Sequence, residues 1–461
     1  MSKPVCQGFD IDYNRGLEDY SSILVKFDAR LARPAIYKAH PMQSIRPLIP
    51  LLIAAGILLA GNGLQGTFIA IRGAEEGFSA SLIGFMGTSY FAGFLLGCVA
   101  IPRLLQSVGH IRTFAALAAI AASGTIAMVL WIDPLWWIVV RMILGFCFSG
   151  LFTTVDSWIN SSVANNDRGR VLSLYRLIDL ACVTGGQFLL PVYGTSGFTL
   201  FGIIAIFVCL SLVPVSLADR SNPTPPETYQ FDLKKIWRLS PMASIGCIAI
   251  GMTNSSFRLV GPIYAQDIGL SITSVATFMS AGIIGGAVLQ YPLGWWSDRY
   301  DRRWALIAAT TGAALAGLFL SYGAGNSQTL NFVGIFAFGA FAMPLYSLSA
   351  AHANDRATKD DYVAVSSGLI FLFSLGAMIG PTVGSLLIEF YGSSALFSFT
   401  TVVHGLLVLV TLWRMRTTVP VPTDGRSRFT GLLRTSAYMV RLGRRKKRNN
   451  GRSKKETDKS G

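Results

Sequence analysis

The chain has 461 residues, of which 52% are hydrophobic and 14% charged, whereas soluble globular proteins carry about 25% charged residues. Mean hydropathy is +0.49 and apolar runs of more than 18 residues recur, which excludes a soluble enzyme, a disordered scaffold and a nucleic-acid module and leaves a polytopic membrane protein. The net charge of +15 comes from 39 Lys and Arg against 24 Asp and Glu, and most of the cations lie between or after the apolar runs.

Residues 1–46 hold mixed charge and no apolar core followed by a cleavage site, so no signal peptide is expected. They read as a cytoplasmic tail, either disordered or upstream of a natural start at Met42. Twelve apolar runs then have the length of about 20 residues that crosses a bilayer as a helix. The first six cover roughly 47–71, 81–101, 113–132, 135–158, 171–193 and 198–218. Residues 219–240, with a proline cluster and mixed charge, read as a linker. The second six runs cover roughly 241–265, 272–293, 303–323, 329–351, 363–387 and 394–414. The basic tail 415–461 has 14 Lys and Arg against Asp424, Glu456 and Asp458. Its stretch Arg426–Arg445 spaces Phe429, Leu432, Leu433, Met439 and Val440 for a helix on anionic inner-leaflet lipid, with disorder from Arg448.

Nearly all the Lys and Arg lie in the tails and even-numbered loops, and the odd-numbered loops hold one, Arg72. The positive-inside rule then places both termini in the cytoplasm. The halves also repeat. Gly77, Ser79 and Gly93 match Gly269, Ser271 and Gly285 at an offset of 192, and Asn166-Asp167-Arg168 matches Asn354-Asp355-Arg356 at 188. The expected fold is therefore an all-α membrane protein of 12 transmembrane helices in two pseudo-symmetric six-helix bundles, 47–218 and 241–414, with a site between them.

After span eight comes GWWSDRYDRR, residues 294–303. It resembles the cytoplasmic-loop signature of the major facilitator superfamily: Gly294, Asp298, Arg299, Arg302 and Arg303 fit, and Asp301 stands where the pattern has glycine. Gly294 would permit a tight helix end, Asp298 would face a helix N-terminus, and the arginines would hold the turn at the lipid surface. The copy after span two, residues 102–114, keeps Gly109 and Arg112 without an Asp-Arg pair. Arg141 to Gly145 in span four resembles the family's Arg-x-x-x-Gly element, whose buried arginine is linked to proton coupling. Gly376, Gly380, Pro381 and Gly384 in span eleven resemble a helix-packing element of family antiporters. The resemblance covers residues 47–414 and is nearest to poorly characterised bacterial carriers. It implies secondary transport of a small solute by alternating access in a bacterial inner membrane, proton-coupled, with import or export open.

A charge near the bilayer centre costs about 2.5–3.5 kcal/mol on insertion scales, so each one needs a reason. Arg141 in span four and Arg258 in span seven read either as a cationic pair across a central cavity, holding an anionic group or switching partners with a carboxylate, or as groups bonded to helix carbonyls or reaching outward toward headgroups. Arg176 and Asp179 share a helix face at i,i+3. With Asp156 and Arg170, Arg176 reads as a structural charge network at the cytoplasmic end. Asp179 reads alternatively as a proton-binding carboxylate. Asn62, Gln65, Gln187 and Gln290 are candidates for hydrogen bonds to substrate, or equally for joining two helices. Asp298 is expected to lock the halves together on the cytoplasmic side when the carrier faces outward, with the N-terminus of span five near Gly169 and Arg170 as partner.

Glu389 and His404 read as boundary or packing residues, Trp131, Trp136 and Trp137 as an interface belt, and the five cysteines within spans as small packing groups. No metal-ligand spacing, cofactor motif or ATPase loop occurs in the sequence. The expected partners are a small-molecule substrate and membrane lipid, with no nucleic acid and a monomeric state. The rival readings are a uniporter, a transporter-like sensor signalling through its basic tail, and a membrane-embedded enzyme, which the scattered His40, His110, His352 and His404 do not favour.

Overall fold

The computed structural model describes residues 48–163, 168–217, 233–357, 362–417 and Phe429. The expectations for the N-terminal tail, for Asn166 and Asp167, for residues 219–232 of the linker and for a surface helix over Arg426–Arg445 lie outside these residues, apart from Phe429.

Fifteen α-helices occupy the described residues, which contain no strand. The first seven are α1 Ile49–Glu75, α2 Ala80–Val108, α3 His110–Leu130, α4 Pro134–Ser162, α5 Arg168–Gln187, α6 Leu189–Tyr193 and α7 Thr199–Leu217. After the short α8 Leu233–Leu239 come α9 Pro241–Asp267, α10 Ile272–Arg299, α11 Arg302–Leu318, α12 Gln328–Ala342, α13 Leu345–Arg356, α14 Tyr362–Tyr391 and α15 Ala395–Thr417. A π-helical turn, Phe319–Gly323, extends α11, and α12 and α13 form one span interrupted at Pro344.

Ten of these elements are long and apolar enough to cross a membrane, counting the α12–α13 pair once. An eleventh is reached if α8 and α9, bent by 111° at Ser240, are one span. The runs read at 171–193 and 241–265 are the two outside the ten. The first carries Arg176 and Asp179 and breaks at Phe188, and the second is diluted by Thr253, Asn254, Ser255, Ser256 and Arg258.

The helix starts follow capping chemistry. Ser79 and Ser271 adopt the same extended conformation and accept the Leu82 and Ser274 amides, each just after a left-handed glycine, Gly77 at φ 81° and Gly269 at φ 85°. These are the positions the repeat matches. Its third pair, Gly93 and Gly285, also plays one role twice. A Cβ on Gly93 would overlap the Met142 carbonyl where α2 crosses α4, and one on Gly285 would overlap the Phe336 carbonyl where α10 crosses α12.

Two further seams position the site. Along α9 and α14, Gly376 and Gly380 press on the carbonyls of Ile248 and Met252. Along α2 and α14, the Thr88 and Thr382 hydroxyls are 2.6 Å apart, and the Ser81 amide donates to Glu389 at 2.9 Å. Glu389 is thus a contact across the chain's two halves, placed at the N-terminus of α2 where a carboxylate is favoured.

Three lesser expectations change. Trp137 is fully buried and donates to the Met128 and Trp131 carbonyls, while Trp131 and Trp136 stay exposed. Cys209 is exposed, whereas Cys98, Cys147 and Cys247 are buried. Arg72 is buried, donates to the Thr195 carbonyl at 2.9 Å and pairs with Glu76, so this odd-loop cation is neutralised locally.

Candidate functional site

Helices from both halves of the chain enclose one cavity of about 1510 Å³, counted with its opening. α1 gives Asn62, α2 gives Tyr90, α4 gives Arg141, α5 gives Arg176, Asp179 and Gln187, and α9 gives Asn254 and Arg258. Leu59, Phe91, Phe94, Phe257, Met279 and Phe373 are among its apolar wall.

Arg141 is 4% exposed, and two groups hold it. Its guanidinium carbon lies 4.4 Å from the Tyr90 ring centroid, and Nη1 donates to Gln65 Oε1 at 3.2 Å. Gln65 does not line the cavity. It is fully buried, and its Nε2 donates to Thr125 Oγ1 at 3.2 Å, so this amide is a second-layer support that aims the arginine. Asn62 does line the cavity and donates from Nδ2 to the Tyr90 hydroxyl at 2.8 Å.

On α5, Arg176 donates from Nη1 to Asp179 Oδ2 at 2.6 Å and from Nη2 to Gln290 Oε1, on α10, at 3.1 Å. One hydrogen-bonded chain therefore runs from Asp179 through Arg176 to the other half of the protein. The structural network read around Arg176 divides. Asp156 accepts from the Tyr175 hydroxyl at 3.0 Å, and Arg170 is exposed. Consecutive residues on a helix point about 100° apart, so Tyr175 meets α4 while Arg176 faces the cavity.

Gln187 donates to the Gly63 carbonyl at 3.0 Å and leaves Oε1 buried without a partner among the described residues. Asn254, absent from the sequence reading, is 1% exposed, and neither of its amide atoms has a partner among the described residues. Its signal was the spacing to Arg258, four residues on and so on the same helix face. Tyr90 was missed too, because a tyrosine in an apolar run carries no charge to mark it.

The loop motif lies away from this cavity and is built differently from its expected form. Gly294 sits inside α10, and a Cβ there would overlap the Phe429 ring. Asp298 accepts the Phe429 amide at 2.8 and 2.9 Å and pairs with Arg302 at 3.2 Å. Arg302 and Arg303 are buried, not lipid-facing. Arg302 reaches Asp355 and Ser297, while Asp301 caps α11 and binds Arg303 through Oδ1, at 3.1 Å, and through Oδ2, at 2.9 and 2.6 Å. Arg299 stacks on Trp295 at 4.1 Å. His404 is buried, with Nδ1 2.8 Å from the Thr400 carbonyl oxygen.

Among the described residues, no cluster of His, Cys, Asp and Glu has an arrangement that could hold a metal. The cavity combines charge, amides and aromatic wall, which suits reversible binding of a small solute.

Comparison with known proteins agrees with this architecture. The family model described as Major Facilitator Superfamily matches residues 51–287 and 243–449. An uncharacterized MFS-type transporter of Yersinia pestis (strain Pestoides F) is 25% identical over 356 residues, covering 76% of this chain and 91% of its own. The uncharacterized MFS-type transporter YcaD of Escherichia fergusonii is 23% identical over 379 residues, covering 81% and 97%. Among solved structures, the nucleoside transporter NupG superposes with a TM-score of 0.67 at 12% identity, covering 80% of this chain and 99% of NupG. A bacterial homologue of the lysosomal transporter Spinster, inward-facing and occupied, gives 0.65 at 12% identity, covering 82% and 97%. These last two likenesses concern the fold alone. With the family model matching most of its length, this multi-pass membrane protein belongs to the Major Facilitator Superfamily.

Proposed function

We propose that the protein is a secondary active carrier that moves a small solute by alternating access and couples the movement to protons. The observation that carries this reading is the hydrogen-bonded chain Asp179–Arg176–Gln290, which faces the cavity and joins the two halves of the protein. A proton taken up by Asp179 would weaken its hold on Arg176. The α5–α10 contact would then be free to rearrange, and local protonation would be linked to a movement of the halves.

We read the chain as twelve spans in two six-helix bundles, 47–218 and 241–414, with both termini cytoplasmic in a bacterial inner membrane. The near-absence of Lys and Arg from the odd-numbered loops supports this orientation. It puts the α2–α14 seam, with Ser81 on Glu389 and Thr88 on Thr382, at the outer side. Opening outward requires that seam to part.

The test is uptake into proteoliposomes from a mixed metabolite and drug panel, with and without an imposed pH gradient. Accumulation of one solute that needs the gradient, and is lost in Arg141→Ala, is the expected result. Movement that ignores the gradient would make the protein a uniporter. Binding of solute with no movement would make it a sensor.

A further inference from the structure

The cavity's polar groups do not balance. Its lining holds three guanidinium groups, Arg141, Arg176 and Arg258, and one carboxylate, Asp179. Asp179 is committed to Arg176 at 2.6 Å. Arg141 has an aromatic face and an amide oxygen but no acid, and its Nε has no partner among the described residues. Arg258 is exposed within the cavity and meets no hydrogen-bond acceptor or acid among the described residues. Two formal positive charges therefore face one enclosed space without a counter-ion.

A second observation points the same way. Asn254 lies one turn before Arg258 on α9 and lines the same cavity. It is 1% exposed, yet its Nδ2 and Oδ1 are both unpartnered among the described residues. Buried amides in folded proteins are almost always paired, so an unpaired one in a cavity wall is a group kept for a ligand. A guanidinium fork with a nearby amide N–H suits an oxyanion, which accepts from both. The Asn254 Oδ1 is left to accept from a hydroxyl or N–H elsewhere on the ligand. Phe91, Phe94, Phe257, Met279 and Phe373 line the remaining wall, enough for an apolar or aromatic body.

We propose that the ligand of this cavity is a small organic oxyanion, a carboxylate or phosphate head on an apolar body, with its head held by Arg258, Asn254 and Arg141. The claim that this anion is the cargo rests on the transport reading above. The binding site itself does not.

The experiment is thermal unfolding of the full-length protein in detergent with benzoate, phthalate, phenyl phosphate, benzamide and benzylamine, each titrated. The anions should raise the unfolding temperature in a saturable way, and benzamide and benzylamine should not. The ranking of benzoate, phthalate and phenyl phosphate separates carboxylate from phosphate and one charge from two. Arg258→Gln should unfold at no lower temperature than the parent without ligand and should lose the shift. Arg258→Lys, which keeps the charge but not the fork, should weaken binding about tenfold. Asn254→Ala should weaken it by a similar factor.

A shift with benzamide or benzylamine equal to that of the acids would overturn the proposal. So would no shift with any of the three anions, or a full shift that survives in Arg258→Gln. Transport separates the two readings. Anions that bind as described but never cross the membrane leave the site standing and remove the carrier. A neutral solute that is carried, with anions neither binding nor competing, does the reverse.

Discussion

Arg141 lies 4.4 Å over the ring of Tyr90, and the hydroxyl of that same tyrosine accepts a hydrogen bond from Asn62 at 2.8 Å. One residue of α2 thus ties the cationic group of α4 to the polar face of α1. Tyr90→Phe removes the Asn62 bond and keeps the ring under the cation. Tyr90→Leu removes both. The expectation is a small rise in apparent KM for Tyr90→Phe and a loss of transport of tenfold or more for Tyr90→Leu, on the basis that a desolvated cation–π contact is worth about 2 kcal/mol. Initial rates of uptake across a substrate series check this, and equal losses in the two variants would remove the ring's role.

Gln65 is the other support of Arg141, from behind. Gln65→Leu keeps the volume and leaves a buried arginine short of an acceptor and Thr125 short of a donor. An unsatisfied buried group costs about 1–3 kcal/mol, so the unfolding temperature should fall by several degrees and turnover with it. Gln65→Glu supplies an acid to the same guanidinium and should keep the fold while weakening anion binding, because Arg141 would then carry its own counter-ion. Calorimetry on the purified variants, with benzoate titrated into each, separates the two effects.

What was legible in the sequence followed from depth and period. The apolar runs, the cap serines Ser79 and Ser271, and the position of Arg141 and Arg258 inside spans are linear properties of the chain. Azimuth is not one. Asn62 and Gln65 stand three residues apart on α1, yet the first faces the cavity and the second is buried beside Thr125. Arg176 follows Tyr175 by one residue and points to a different neighbour. Trp137 follows Trp136 and is interior rather than interfacial. These choices depend on how each helix is rotated against its partners, which tertiary packing sets. Asn254 was hidden for a related reason: an amide is ordinary in such a helix until its partners are counted.

The α2–α14 seam makes a mechanical prediction. Thr88 and Thr382 hydroxyls lie 2.6 Å apart, close enough for the pair Thr88→Cys and Thr382→Cys to bridge in a background with the other cysteines replaced. Oxidation should stop transport by holding this end shut, and a reductant should restore it. Solute binding, measured separately, should survive oxidation. Full transport with the bridge formed would show that the seam does not open.

The pair Arg176–Asp179 makes a prediction about energy coupling. Asp179→Asn cannot exchange a proton and keeps the volume. Uptake driven by a pH gradient should fall to the level of the gradient-free control, while exchange of labelled for unlabelled solute across the membrane should continue. Gln290→Leu removes only the acceptor on α10 and should reduce driven uptake without abolishing its dependence on the gradient. Undiminished gradient-driven accumulation by Asp179→Asn would move the coupling role to another group.

The contact of Phe429 with Gly294 and Asp298 brings a residue of the basic tail to the loop motif of α10. Two separate features make the contact: an amide N–H that the Asp298 carboxylate accepts, and space that only glycine at 294 leaves for the ring. Phe429→Pro removes the N–H, and Gly294→Ala puts a methyl group where the ring lies. Either change should release the segment, at a cost in overall stability of about 1.5–3 kcal/mol where the hydrogen bond to the charged carboxylate is lost. A spin label at Thr430 should become more mobile in both variants, and the same label with Phe429→Ala should show which matters more, since that change keeps the N–H and loses the ring. If mobility is unchanged in all three, other residues anchor the segment. If it rises, and turnover rises with it, the tail restrains the loop motif, because a carboxylate that holds Phe429 is not free to meet another helix.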